Sequence, residues 1–128
     1  MIVCVVDDLI FSIKISTAAK QLGVPMYFER SKASVLQTIR DKQPSLVIFD
    51  LNSGRLAPIE AIVAMKSDAA LRSIRTLGYV AHVDSETIER ARAAGIDQVM
   101  ARSAFSEKLA DILTGPGTRD PGSGAPNA

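Results

Sequence analysis

The sequence predicts an α/β domain, a parallel β-sheet with helices on both faces. Short continuous apolar runs such as Ile2-Val3-Cys4-Val5-Val6 and Leu46-Val47-Ile48-Phe49 have the pattern of strands buried on both sides. Between such runs, apolar residues recur at helical spacing. The two patterns alternate strictly through five strand–helix pairs, the signature of βα units rather than hairpins.

The elements follow in order. Ile2–Val6 is the first strand. Phe11, Ile15, Ala18 and Leu22 line one helix face, and Gly23 with Pro25 ends that helix. Met26–Phe28 is a short second strand. Ser31 or Ser34 is expected to cap a helix that buries Val35, Leu36 and Ile39 and stops before Pro44. Leu46–Phe49 is the third strand, ending at Asp50. Pro58 suits the first turn of the next helix, where a missing N–H costs nothing, and Ile59, Ile62, Val63 and Lys66 follow its period. Leu77–Ala81 is the fourth strand. Ser85 is expected to cap a helix ending at Gly95, with Ile88 and Ala91 inward. Asp97–Ala101 is a weaker fifth strand. Phe105, Leu109, Ile112 and Leu113 line one last helix, stopped by Gly115-Pro116.

Composition narrows the classes of function. The 128 residues suit one domain, and 47% hydrophobic content provides for a substantial core. Fifteen basic groups nearly cancel fourteen acidic ones, so no net field draws the chain to nucleic acid or a membrane surface. A single cysteine, Cys4, excludes an internal disulfide and a Cys-cluster metal site, and its apolar run makes it a buried small hydrophobe. No apolar stretch reaches the roughly 20 residues of a membrane span. Asp7 and Asp8 interrupt the first apolar run, so the N-terminus does not resemble a secretory leader, and a cytoplasmic domain is expected. The segment 115–128, GPGTRDPGSGAPNA, is read as a disordered tail or linker, leaving 1–114 as the folded unit.

Ligands of such sheets bind beyond the carboxyl ends of the strands, at the switch point in strand order. Asp7 and Asp8 follow the first strand and Asp50 ends the third. Clustered carboxylates repel unless compensated, and a hard divalent cation such as Mg2+ is the natural remedy. Taken singly, Asp8 is a helix N-cap and Asp50 a loop residue.

Val5-Val6-Asp7-Asp8, Val47-Ile48-Phe49-Asp50, the Gly95-Ile96-Asp97 turn and the segment from Lys66 to Ile74 together resemble the receiver domain of bacterial two-component response regulators, over about residues 1–114. The resemblance implies a flavodoxin-like (βα)5 sheet in the order 2-1-3-4-5. It places Asp50 at the phosphoryl-accepting aspartate, Asp7 and Asp8 at the pair that holds Mg2+, and Asn52 where a backbone carbonyl reaches that ion. It implies a signalling module, not an enzyme, served by a sensor histidine kinase or a phosphotransfer protein. Such a module meets a downstream protein through the face of the fourth helix, fifth strand and fifth helix, and a second copy in a homodimer is a further expected partner; Glu86, Glu89, Arg90 and Arg92 decorate that fourth helix, where a solvated face is the plainer account.

The other half of the family pattern is altered. Val80 stands where the family carries a Thr or Ser that binds the phosphoryl oxygen, with Ala81 next to it at the phosphate-contact end. Arg102-Ser103 replaces Lys-Pro; arginine is a planar fork rather than a point charge, and without proline the peptide is expected to be trans. Val99 replaces the aromatic switch residue. The Met-Pro that follows the acceptor is missing, and Arg55 stands in that loop, where it reads as a solvated charge or a phosphate contact. His82, two residues past Val80, is a modulator of dephosphorylation or an exposed loop histidine. Thr76 precedes the apolar part of its strand and belongs to the wrong end of the sheet for the missing hydroxyl. The expected function is an atypical receiver, phosphorylated on Asp50 with a weakened switch. The alternatives are a phosphorylation-independent docking or dimerisation domain and, less suited, a Mg2+-dependent phosphatase, since position 52 offers no second carboxylate. A flavin or nucleotide binder is less suited still, since no Gly-rich phosphate loop follows the first strand.

Overall fold

The computed structural model describes residues 1–81 and 84–115. Its order is β1 (Ile2–Val5), α1 (Leu9–Leu22), β2 (Met26–Phe28), α2 (Val35–Lys42), β3 (Leu46–Asp50), α3 (Pro58–Lys66), β4 (Arg75–Val80), α4 (Ser85–Ala94), β5 (Gln98–Ala101), α5 (Arg102–Glu107) and α6 (Leu109–Thr114). Short 3-10 turns at Lys32–Ser34 and Gly54–Leu56 precede α2 and α3. The five strands form one sheet in the order β2-β1-β3-β4-β5, all parallel, as the resemblance implied. No helix among the described residues is long and apolar enough to cross a membrane. The expected tail from 116 onward lies outside the described residues.

Strand alternation divides the core in two. Val3, Val5, Val47 and Phe49 face α2, α3 and α4, packing with Ile39, Ile62 and Met65. Ile2, Cys4, Ile48, Leu77 and Tyr79 face α1, α5 and α6, packing with Ile15, Phe105 and Leu113. Phe11, Tyr79 and Phe105 form an aromatic group on this second side, with centroids 5.0–5.8 Å apart. Burial holds the Cys4 thiol well above its ordinary pKa, which suits an inert core residue.

Most boundaries follow the sequence reading, and five details depart from it. Neither Ser31 nor Ser34 caps α2 with its side chain. The buried Glu29 organises that entry instead, accepting from the Ser31 N–H at 2.9 Å and the Thr38 hydroxyl at 2.5 Å. Asp84, not Ser85, caps α4: its Oδ1 accepts from the Glu86 N–H at 3.1 Å, and its Oδ2 accepts from the Thr87 hydroxyl at 2.6 Å. These bonds, led by those from Thr87, lower the Asp84 pKa. Val63 is half exposed, and Met65 takes the inward position in α3. The last helix is two, parted at Lys108, whose ψ of 14° leaves the helical range while Phe105, Leu109 and Leu113 stay buried. β4 begins at Arg75, two residues earlier than expected, because Asp97 draws Thr76 into the sheet: the Thr76 N–H and hydroxyl donate to Asp97 Oδ2 at 2.8 and 2.9 Å. Thr76 thus lies at the amino end, away from the site, as its place in the sequence implied.

Gly78 links the sheet to the loop after Asp50. A Cβ there would lie 2.7 Å from Leu51 Cγ and 2.9 Å from Ile96 Cδ1, so glycine lets Leu51 lie flat across β4. Gly78→Ala should therefore destabilise the fold by about 1–3 kcal/mol, the usual scale of overpacking. Chemical denaturation measures this loss, and the amide shifts of residues 50–53 should move with it.

Candidate functional site

Parallel pairing of β1 with β3 sets Val5 against Phe49, so Asp7 and Asp8 emerge beside Asp50 at the carboxyl edge. Asp50 pairs with Tyr79 on the other side, and the Leu51 N–H donates to the Tyr79 carbonyl at 3.0 Å. Asp50 is half-buried. Burial raises its pKa, and the nearby charges of Asp7 and Asp8 raise it further, against the lowering effects of the Asn52 N–H and of Arg102. Asp50 thus senses the charges of both neighbouring carboxylates.

Each is also held by its own partners. Asp8 caps α1, its Oδ1 accepting from the Phe11 N–H at 3.0 Å, and its Oδ2 lies 3.5 Å from Arg102 Nη1. The capping reading of Asp8 therefore stands beside its place in the acidic edge. Asp7 accepts from the Ser53 hydroxyl at 3.1 Å and from Arg55 Nε at 2.9 Å. Asp50 Oδ1 accepts from the Asn52 N–H at 3.0 Å. Among the described residues no three His, Cys, Asp or Glu side chains are grouped to hold a metal ion. The donor set of hard oxygens suits Mg2+, while the arrangement gives several of those oxygens to the chain's own donors.

The contact positions on β4 and β5 meet in a neighbouring cleft. An open cavity of about 360 Å³ is lined by Phe11, Val80, Ala81, Ala101, Arg102 and Ser103. Arg102 opens α5, its guanidinium 5.3 Å above the Phe11 ring. Every described peptide bond is trans, the Arg102–Ser103 bond included. Val80 is buried, and the half-buried Val99 packs against the same cluster. The Ala81 N–H is taken by Asn52 Oδ1 at 2.6 Å. His82 lies outside the described residues.

Sequence reasoning took Arg55 as a solvated charge or a phosphate contact and did not foresee its pairing with Asp7. It also missed Ser53, which is buried, and Tyr79, whose buried hydroxyl has no hydrogen-bond partner among the described residues. Burial, with the charge of Asp50 behind it, keeps the Tyr79 phenol protonated. The one signal in the sequence was the polar run Asn52-Ser53-Gly54-Arg55, which begins just past Leu51, the residue after Asp50.

No protein-family model matches the chain, and no curated protein sequence does. Solved structures do match. A response regulator from Hahella chejuensis superposes with a TM-score of 0.79 at 17% identity, covering 88% of this chain and 91% of its own. The phosphorylated cyanobacterial phytochrome response regulator RcpA gives 0.75 at 19% identity, covering 88% and 86%. A response regulator in its Mn2+-bound form gives 0.72 at 13% identity, covering 87% and 89%. At these identities the likeness establishes the fold: the chain has the receiver-domain fold of two-component response regulators.

The raised pKa of Asp50 has a consequence for stability. The native state binds this proton more tightly than the unfolded chain, so stability falls as pH rises from the ordinary carboxylate range through the native pKa. Asp50→Asn should therefore raise the melting temperature at neutral pH, with the gain fading below about pH 4. Asp7→Asn should lower the Asp50 pKa, as read by carboxyl carbon NMR.

Proposed function

We propose that this chain is a receiver module of two-component signalling in which Asp50 accepts a phosphoryl group. The observation that supports it most is the place of Asp50 in this fold: at the carboxyl end of the central strand, beside the strand that leads into Asp7 and Asp8. The chemistry is direct. An Asp50 carboxylate oxygen attacks the phosphorus of a phosphohistidine or acetyl phosphate. A P–O bond forms, the bond to the imidazole nitrogen or acetate oxygen breaks, and the leaving group departs with the electron pair.

Asp7, Asp8 and Asp50, with the Asn52 backbone carbonyl, would hold a Mg2+ ion. Such an ion neutralises charge on a transferring phosphoryl group. The comparison structures agree in kind, one response regulator being phosphorylated and another binding Mn2+. The chain's own residues do the rest. The Asn52 N–H orients Asp50, and Arg102, stacked on Phe11, stands at the cleft to meet a phosphoryl oxygen. A sensor histidine kinase or phosphotransfer protein supplies the group. A downstream protein or a second copy binds across α4, β5 and α5.

Val80 offers no donor to the phosphoryl group and Val99 no ring to relocate, so the response at α4 and β5 is weak. A second reading, docking without phosphorylation, draws support from the pairing of Asp7 with Arg55 and of Asp8 with Arg102. The two readings part on one measurement, intact mass after acetyl phosphate and Mg2+. The receiver reading expects one phosphoryl adduct that disappears in Asp50→Asn. No adduct on the wild type favours the docking reading, and an adduct persisting in Asp50→Asn removes Asp50 as the acceptor.

A further inference from the structure

The loop between β3 and α3 is tied across the acidic edge at two points. At one end, Asn52 Oδ1 accepts from the Ala81 N–H at 2.6 Å, joining the loop to the end of β4. At the other, Ser53 and Arg55 both donate to Asp7, at 3.1 and 2.9 Å, joining it to the end of β1. Ser53 is buried, while Arg55 is largely exposed, with 64% of its side chain open to solvent. Between the two ties lies Asp50, held by the Asn52 N–H.

The chemistry of the two ties is complementary. Arg55 places a positive charge on the carboxylate that a cation would need. Asn52 places a carbonyl oxygen on the amide that an oxyanion would need. We propose that residues 52–55 form a strap that occupies the site with the chain's own side chains, so that a divalent cation enters by displacing Arg55 from Asp7. This rests on the receiver reading and adds to it a built-in competitor. Because the loop is short, release at Asp7 loosens the tie at Ala81, and cation entry frees the amide for an anion. The ion pair is exposed, so it is weak enough for a ligand to displace.

The test is Mn2+ affinity of the full chain, read from the electron paramagnetic resonance of free Mn2+. Arg55→Ala should tighten binding about twofold to fivefold, the scale of one exposed ion pair. Arg55→Lys, which keeps the charge without the planar fork, should fall between it and the wild type. Arg40→Ala removes the same charge from a pair with Asp68, remote from Asp7, and should leave the affinity unchanged. Equal tightening in Arg40→Ala would mean that only net charge is read, and would overturn the strap. No tightening in Arg55→Ala, with binding that Asp8→Ala still abolishes, overturns the strap and leaves the receiver reading standing. No Mn2+ binding in any variant overturns both. A second readout is the Ala81 amide resonance, which should shift with the same midpoint as Mg2+ binding. An amide that stays in place at saturating Mg2+ overturns the proposed coupling of the two ties.

Discussion

Like charge at the carboxyl edge of the sheet is the constraint around which the rest of this molecule is arranged. Parallel pairing of β1 with β3 is dictated by burial: both strands are apolar on both faces and belong in the middle of the sheet. Once they pair, Asp7, Asp8 and Asp50 are placed along one edge regardless of their mutual repulsion. Neighbouring structure then answers that charge. The first turn of α1 gives the Phe11 N–H to Asp8, α5 begins with Arg102, and the loop after β3 brings Ser53 and Arg55 to Asp7. Asp50 is left with a neutral donor, the Asn52 N–H, and burial, more than its neighbours' charge, raises its pKa.

What the sequence made legible is what depends on local chemistry or strong periodicity. The apolar runs of β1 and β3 needed no partner to be recognised. Gly23 and Gly95 end their helices in left-handed conformations, with φ of 70° and 103°, and Pro58 opens α3 as its fixed φ suggests. What stayed hidden depends on residues distant in the chain or on a choice between equal local options. Glu29 orders α2 through Ser31 and Thr38, a role no cap rule contains. Asp84 and Ser85 are both good caps, and the added bond from the Thr87 hydroxyl favours Asp84. Arg55 reaches Asp7 across 48 positions, so only the fold reveals that its charge is matched.

The site itself was half legible for the same reason. That Asp7, Asp8 and Asp50 share one edge follows from strand order. Whether their oxygens face a common point depends on side-chain partners, which strand order does not describe. Loop composition contributes twice here. Gly78 leaves room for Leu51 to lie on β4, which anchors the chain immediately after Asp50. From that anchor the polar run Asn52-Ser53-Gly54-Arg55 has little slack, and its side chains meet the nearest backbone amide and the nearest carboxylate.

The two sides of the candidate site differ in their capacity to respond. On the β1–β3 side the contacts are polar, partly solvated and exchangeable, each worth about 1 kcal/mol or less. On the β4–β5 side Val80 is buried and Val99 packs against the same apolar cluster as Ile96 and Ala91. A conformational change is driven only by contacts that differ between its two states. Apolar side chains already packed in a core gain nothing from a new charge on Asp50, and moving them would cost packing. Under the proposed phosphorylation of Asp50, free energy released at the acidic edge would therefore be spent in the loop of residues 52–55 and at Arg102, and little would reach α4.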